Sequence, residues 1–211
     1  MGLDDMTFDT GFKVAEEPED VKVSDKRDKR RRSECIERTT ATIYRRAFSE
    51  TQLLDLIPDG LQEGHSYHFI TAGDVDALSY VKLVLRQQNL DYLLFSTWCM
   101  ACDDILQIEE WLESGKIKTI DAYMGEIFPN NYTKEYIRLK EVIPKHGGRI
   151  AVFKNHSKIF AGIGPDFAFG IETFANINTN PRAENGCITI DREIYDFYKA
   201  YFDGIVSFEK D

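Results

Sequence analysis

Residues 91–127 read DYLLFSTWCMACDDILQIEEWLESGKIKTIDAYMGEI. Asp91 to Trp98 is an apolar and aromatic run of the length of a central strand. Asp103 and Asp104 then open a helix, where carboxylates favour the positive end of the aligned peptide dipoles. Ile105, Ile108, Trp111 and Leu112 fall on one helical face, and Gly115 ends the helix. Lys118 to Ile127 is the next strand. Strand, helix, strand is the unit from which a helix-covered parallel sheet is built.

The same alternation extends to both sides. Upstream, Tyr67 to Thr71 reads as a strand, and Asp74 caps a helix carrying Val75, Leu78, Val81 and Leu85 on one face. Further upstream, Ser49 and Gln52 match a capping box, with Leu53, Leu54, Leu56 and Ile57 on the apolar side before Pro58. Downstream, Phe128 to Asn131 reads as a loop. Thr133 to Lys145 reads as a helix with Tyr136, Leu139, Val142 and Ile143 inward, closed by Gly147-Gly148. Arg149 to Phe153 is again a strand. Four alternations imply an α/β fold, a mostly parallel or mixed sheet flanked by helices on both faces. Beyond Lys154 the pattern changes. Ser157 to Ile163 and Phe167 to Thr173 are strands joined by Gly164-Pro165-Asp166; a loop rich in Asn, Thr and Pro follows, then a strand at Cys187 to Ile190 and a helix at Glu193 to Phe202.

Length and charge bound the rest. The chain has 211 residues and a net charge of −10, with 43% hydrophobic and 29% charged residues. That composition is globular and the length buries a substantial core. Residues 1–45 have few large apolar side chains and dense charge, so they are expected to be disordered or extended, with residues 46–211 as the folded domain. Residues 1–25 are net −6, residues 26–46 net +6, and residues 47–211 net −10. The acidic domain is a poor non-specific partner for duplex nucleic acid, whereas the basic run Lys26 to Arg32 is suited to tethering a polyanion. With no apolar run of about 18 residues and no secretory signal, the expectation is a cytoplasmic protein without membrane insertion.

Two constellations carry chemistry. The first is Cys99-Met100-Ala101-Cys102, between a strand and a helix, the context of a thiol redox motif in which the helix N-terminus lowers the Cys99 pKa. The competing reading is two small semi-buried cysteines at a turn. Cys35 and Cys187 have no partner spacing, and Cys99 and Cys102 lack a second pair for zinc, so no metal and no cofactor is expected. The second constellation is Asn155-His156-Ser157-Lys158, followed by Glu172 to Asn185. On a strand, His156 and Lys158 point to one face, so a nucleophile and an ammonium meet one phosphate. Asn176 and Asn178 share parity and their amides can donate to phosphate oxygens. Glu184 can accept from the imidazole, and Arg182 adds positive charge.

His156-x-Lys158, Asn176 and Glu184-Asn185 resemble one copy of the HxK…(GS)xN…EN signature of the phospholipase D-like superfamily. About two-thirds of the chain is similar to single-motif members carried by phages and mobile elements. The resemblance implies a metal-independent phosphodiesterase or nuclease. His156 forms a phosphohistidine, Lys158 and Asn176 hold the phosphate, and a second histidine comes from a homodimer partner across a two-fold axis. The family's Asp falls on Ile163, with Asp166 and Glu172 as the nearest carboxylates, and its GS pair falls on Thr173-Phe174, where Phe174 narrows the pocket. These departures keep a second reading open, a non-catalytic nucleic-acid or protein binding module of the same fold. A thiol oxidoreductase ranks below both, as does a lipid substrate. His65, His68 and His146 read as structural or surface residues. Tyr195, Phe197, Tyr198, Tyr201 and Phe202 read as core or dimer interface before base-stacking platform.

Overall fold

A computed structural model describes Thr51, Leu53 and residues 55–71, 75–174, 177 and 183–208. Its centre is a seven-stranded sheet, β1 Ser66–Thr71, β2 Leu90–Thr97, β3 Ile117–Gly125, β4 Ile150–Phe153, β5 Ile159–Ile163, β6 Ala168–Thr173 and β7 Glu184–Thr189. The helices are α1 Ala77–Leu85, α2 Cys102–Glu113, α3 Phe128–Asn131, α4 Thr133–Lys145 and α5 Arg192–Asp203. Spatial order is β1-β7-β6-β5-β2-β3-β4. The α/β class and the mixed, helix-flanked sheet are as expected.

Parallel pairing is confined to β2–β3 and β3–β4, the strands joined through helices. The other four pairings are antiparallel. The reason lies in the connections: among the described residues no helix separates β4, β5, β6 and β7 in sequence, and β1 pairs with β7 rather than β2. Counting strand–helix alternations finds the helical crossovers and misses which strand the first one joins.

Successive residues of each strand serve two cores, as the period of two requires. Leu93, Phe95, Ile120, Ala122, Phe169 and Ile171 face a large core shared with α1, α2 and α4. Leu94, Tyr123, Ala151, Ala161 and Ala168 face a smaller core closed by Tyr195, Tyr198 and Phe202 of α5. Small sheet residues admit the large aromatic rings here. A Cβ at Gly170 would lie 2.5 Å from Ile194 Cγ2, so glycine sets how closely α5 approaches. Of the five aromatics expected to share one role, three are buried, while Phe197 and Tyr201 are 64% and 57% exposed.

Helix ends follow local chemistry. The first helix is capped by Asp76, with Asp74 outside the described residues; the Asp76 carboxylate accepts from Ser79 N at 2.9 Å and Ser79 Oγ at 3.0 Å. Thr133–Lys145 and its four inward residues are as the periodicity predicts. Gly147 follows with φ +76°, the left-handed conformation that ends helices. Residues 128–131 form a short helix rather than a loop. Ser49, Gln52 and Leu54 lie outside the described residues; Leu53 is buried, whereas Leu56 is exposed. Among the described residues no helix is long and apolar enough to cross a membrane.

Asp76→Ala removes a buried cap. It is expected to destabilise the domain by about 1–2 kcal/mol in urea titration, while Asp76→Asn retains most of the stability.

Candidate active site

The chain leaves β4 at Phe153 and enters β5 at Ile159, yet β3 and β2 lie between those strands in the sheet. The connection therefore crosses three strand spacings, about 14 Å. Six residue steps reach at most about 20 Å, so residues 154–158 are enough to pass over the ends of β3 and β2, with a local turn bond from Ser157 N to Asn155 Oδ1. His156 and Lys158 lie in this connection and not in a strand. They still meet through their side chains.

Asn155 ties the crossing down. Its buried side-chain amide donates to Ser96 Oγ at 2.8 Å and to the Tyr123 carbonyl at 3.1 Å, and reaches the Thr97 carbonyl at 3.5 Å. Its Oδ1 accepts from Ser157 N at 2.9 Å and Ser157 Oγ at 2.7 Å. One side chain thus joins the ends of β2 and β3 to the residue after His156. Gly125 leaves the room: a Cβ there would lie 2.8 Å from Trp98 Cδ1 and 3.0 Å from the Asn155 carbonyl oxygen.

His156 is exposed between two neighbours. The Trp98 ring lies 5.4 Å from the imidazole, centroid to centroid. Lys158 Nζ lies 3.0 Å from His156 Nδ1 and donates to the His156 carbonyl at 2.9 Å. Burial pushes the Lys158 pKa down, opposed by Cys99 and by Glu184. When the ammonium donates to Nδ1, the ring proton sits on Nε2.

These groups line a cleft of about 840 Å³ together with Glu172, Thr173, Phe174, Glu184 and Asn185. Glu184 is in β7, and its charge acts on Lys158. Thr173 donates from its hydroxyl to the Asn185 carbonyl at 3.3 Å, and its amide donates to the Lys158 carbonyl at 3.1 Å. It holds three segments together at the cleft wall. Glu172 accepts a hydrogen bond from the Tyr198 hydroxyl, which with burial pushes the Tyr198 pKa up. Phe174 is 71% exposed and stands at the rim rather than across the floor. Asn176, Asn178 and Arg182 lie outside the described residues, as does the basic run 26–32.

The departure at Ile163 takes a different meaning in three dimensions. Ile163 is at the opposite end of β5 from Lys158, about 16 Å away at the usual strand rise. A carboxylate at that position would not reach a phosphate held by Lys158. Asp166 is also at that far end, its amide donating to Gln88 Oε1.

The structure corrects the expected thiol chemistry. Cys99 is buried, and burial pushes its pKa up despite a hydrogen bond to Tyr132 and the nearby Lys158. Cys102 is also pushed up, first by its hydrogen bond to the Glu135 carboxylate at 3.2 Å. Burial leads for Cys99, with Asp104 adding to it, and the Glu135 bond leads for Cys102, with burial and Asp103 adding to it.

Sequence reasoning overlooked Asn155, Ser96, Gly125 and Trp98 as supports, and placed His68 outside the site although it lines the cleft. The signal for Asn155 was its position beside His156; the signal for the others is tertiary.

No family model matches the chain, and no curated protein matches it. Solved structures similar to it include a polyphosphate kinase from Porphyromonas gingivalis, 16% identical over 69% of this chain with a TM-score of 0.49. TrmBL2, an archaeal chromatin protein, is 11% identical over 79% with a TM-score of 0.44. A phosphatidylserine synthase from Haemophilus influenzae is 14% identical over 65% with a TM-score of 0.47. The chain spans 24%, 62% and 37% of those proteins, respectively.

Asn155→Ala leaves the Tyr123 carbonyl and the Ser157 amide without their partner. The expected cost is about 2–3 kcal/mol in urea titration, with faster hydrogen exchange at the Ser157 amide than at amides within β2.

Proposed function

We propose that this chain is a phosphodiesterase of the phospholipase D-like type, acting on nucleic acid as a homodimer through a His156 nucleophile. The observation that carries the reading is the placement of His156 beside Lys158 in one cleft at one end of the sheet, with a mechanical support for each. Mixed α/β sheets offer ligands a site at strand ends, where loops converge.

In the proposed reaction, His156 Nε2 forms a bond to phosphorus and the bond to the leaving oxygen breaks. The leaving oxygen takes a proton from a histidine of the second copy. Water then attacks phosphorus, gives its proton to that histidine, and releases His156. Lys158 and Asn176 compensate the charge that develops on the phosphoryl oxygens, with Asn178, Arg182, Thr173 and Glu172 around the phosphate and Glu184 balancing the cations. The mechanism asks for no metal. Exposed Ile70 and Phe174 both line the cleft, and apolar side chains there suit a face that a second copy covers. Lys26 to Arg32 supply a basic arm for the polyanion.

The test is cleavage of labelled single- and double-stranded oligonucleotides in EDTA, with acid-quenched samples searched for a phosphorylated peptide containing His156. His156→Ala is expected to abolish both signals, and sedimentation to report a dimer. If His156→Ala cleaves as well as the parent, the nucleophile assignment fails. Binding without any phosphohistidine, at high protein and long times, favours instead the non-catalytic module of the same fold.

Lys158 gives a second test. Its ammonium form binds the anion, and burial lowers its pKa, so that form is lost at lower pH than for an exposed lysine. Affinity for inorganic phosphate is expected to fall as pH rises, beginning below the ordinary lysine value of about 10.4. Lys158→Met should bind more weakly and without that dependence.

A further inference from the structure

A second hollow opens beside His156, away from the β1–β7 side of the cleft. It has a volume of about 370 Å³ and shares His156, Ser157, Ile159 and Tyr198 with the larger cleft. Its other walls are four aromatic residues, Phe153, Phe197, Tyr201 and Phe202, with Lys154 and Asn155. Phe202 is buried in the core under α5, but Phe197 and Tyr201 are exposed. They lie four residues apart, on one face of the helix, directly above the hollow. Neighbouring rings hold both in place: Phe197 meets Tyr198 and Tyr201 meets Phe202 edge-on, each at 5.2 Å between centroids.

We infer that this hollow is a base-stacking subsite, in which Phe197 and Tyr201 receive an unpaired nucleobase next to the phosphate held at His156. The inference rests on the proposed function and narrows it to single-stranded nucleic acid. Three observations select this occupant. The volume is at the small end of small-molecule sites, suited to one planar group. The hollow shares a wall with the phosphate-binding histidine, so a base one linkage away is within reach. Lys154, exposed on the same lining, makes no ion pair among the described residues and is available to the next phosphate. Both cations of α5 are already paired within the helix, Arg192 with Asp196 and Lys199 with Asp203. A base inside a duplex is stacked on its neighbours and cannot offer its face, so the subsite selects single strands. Stacking on aromatic rings accepts any base, and it predicts little sequence preference.

The experiment is fluorescence anisotropy on the full chain with two probes of equal length, oligo-dT and an abasic oligodeoxynucleotide with the same phosphates. Oligo-dT is expected to bind about 5- to 100-fold tighter than the abasic probe, the effect of one stacked base. Phe197→Ala/Tyr201→Ala should erase that difference and leave abasic binding unchanged, and Phe197→Trp should retain it. Equal binding of the two probes, with Lys158→Ala weakening both, overturns the subsite and leaves the phosphate site standing. A double variant that sediments as a monomer where the parent is a dimer also overturns it, because the rings then belong to a subunit interface. If neither probe binds, the nucleic-acid reading fails together with the subsite.

Discussion

The candidate site depends on the hydrogen bonds of one buried amide, Asn155. The sheet places β3 and β2 between β4 and β5, so the chain must cross two strand ends in five residues. Strand ends leave carbonyl groups without ladder partners, and a chain passing over them must satisfy those groups or pay about 1–3 kcal/mol for each one buried unmet. Asn155 satisfies them with its amide nitrogen and holds Ser157 with its oxygen. His156 sits between two anchored residues and projects outward because both neighbours are held inward. The Gly125 space and the Trp98 ring follow from the same crossing.

Charge is organised on the same scale. The chain carries −10 overall, which opposes polyanion binding at long range. Lys158 acts at short range, where partial burial reduces screening and strengthens a direct contact. Glu184 favours its charged form. Burial acts in opposite senses on this neighbourhood, lowering the lysine and raising the Cys99 thiol. Desolvation works against the charged form of each group, the ammonium and the thiolate.

Much of the architecture was legible. Periodicity located α2 and α4 together with their inward faces, because an amphipathic stripe is a local property of sequence. Strand alternation located β1 to β6 within a few residues. The larger errors have tertiary causes. His156 and Lys158 read as strand residues since extended sequence looks alike inside and outside a ladder; only β5 pairing from Ile159 onward shows where the ladder starts. Ile163 looked like a lost site residue when counted along the chain, and the strand rise carries it to the other end of the sheet. The aromatic residues of α5 divide between core and surface according to which of them meet Ala151, Ala161, Ala168 and Gly170.

The amino-acid sequence by itself determined the α/β class, the helical faces and the pairing of His156 with Lys158, since spacing of two along extended backbone is enough to bring them together. Tertiary structure alone decided that β1 closes on β7, that Asn155 anchors the crossing, that burial raises the Cys99 pKa, and that Phe197 and Tyr201 remain in solvent beside His156. Those outcomes turn on which strands become neighbours. Neighbour choice is settled by burial summed over the whole domain, which no local stretch of sequence contains.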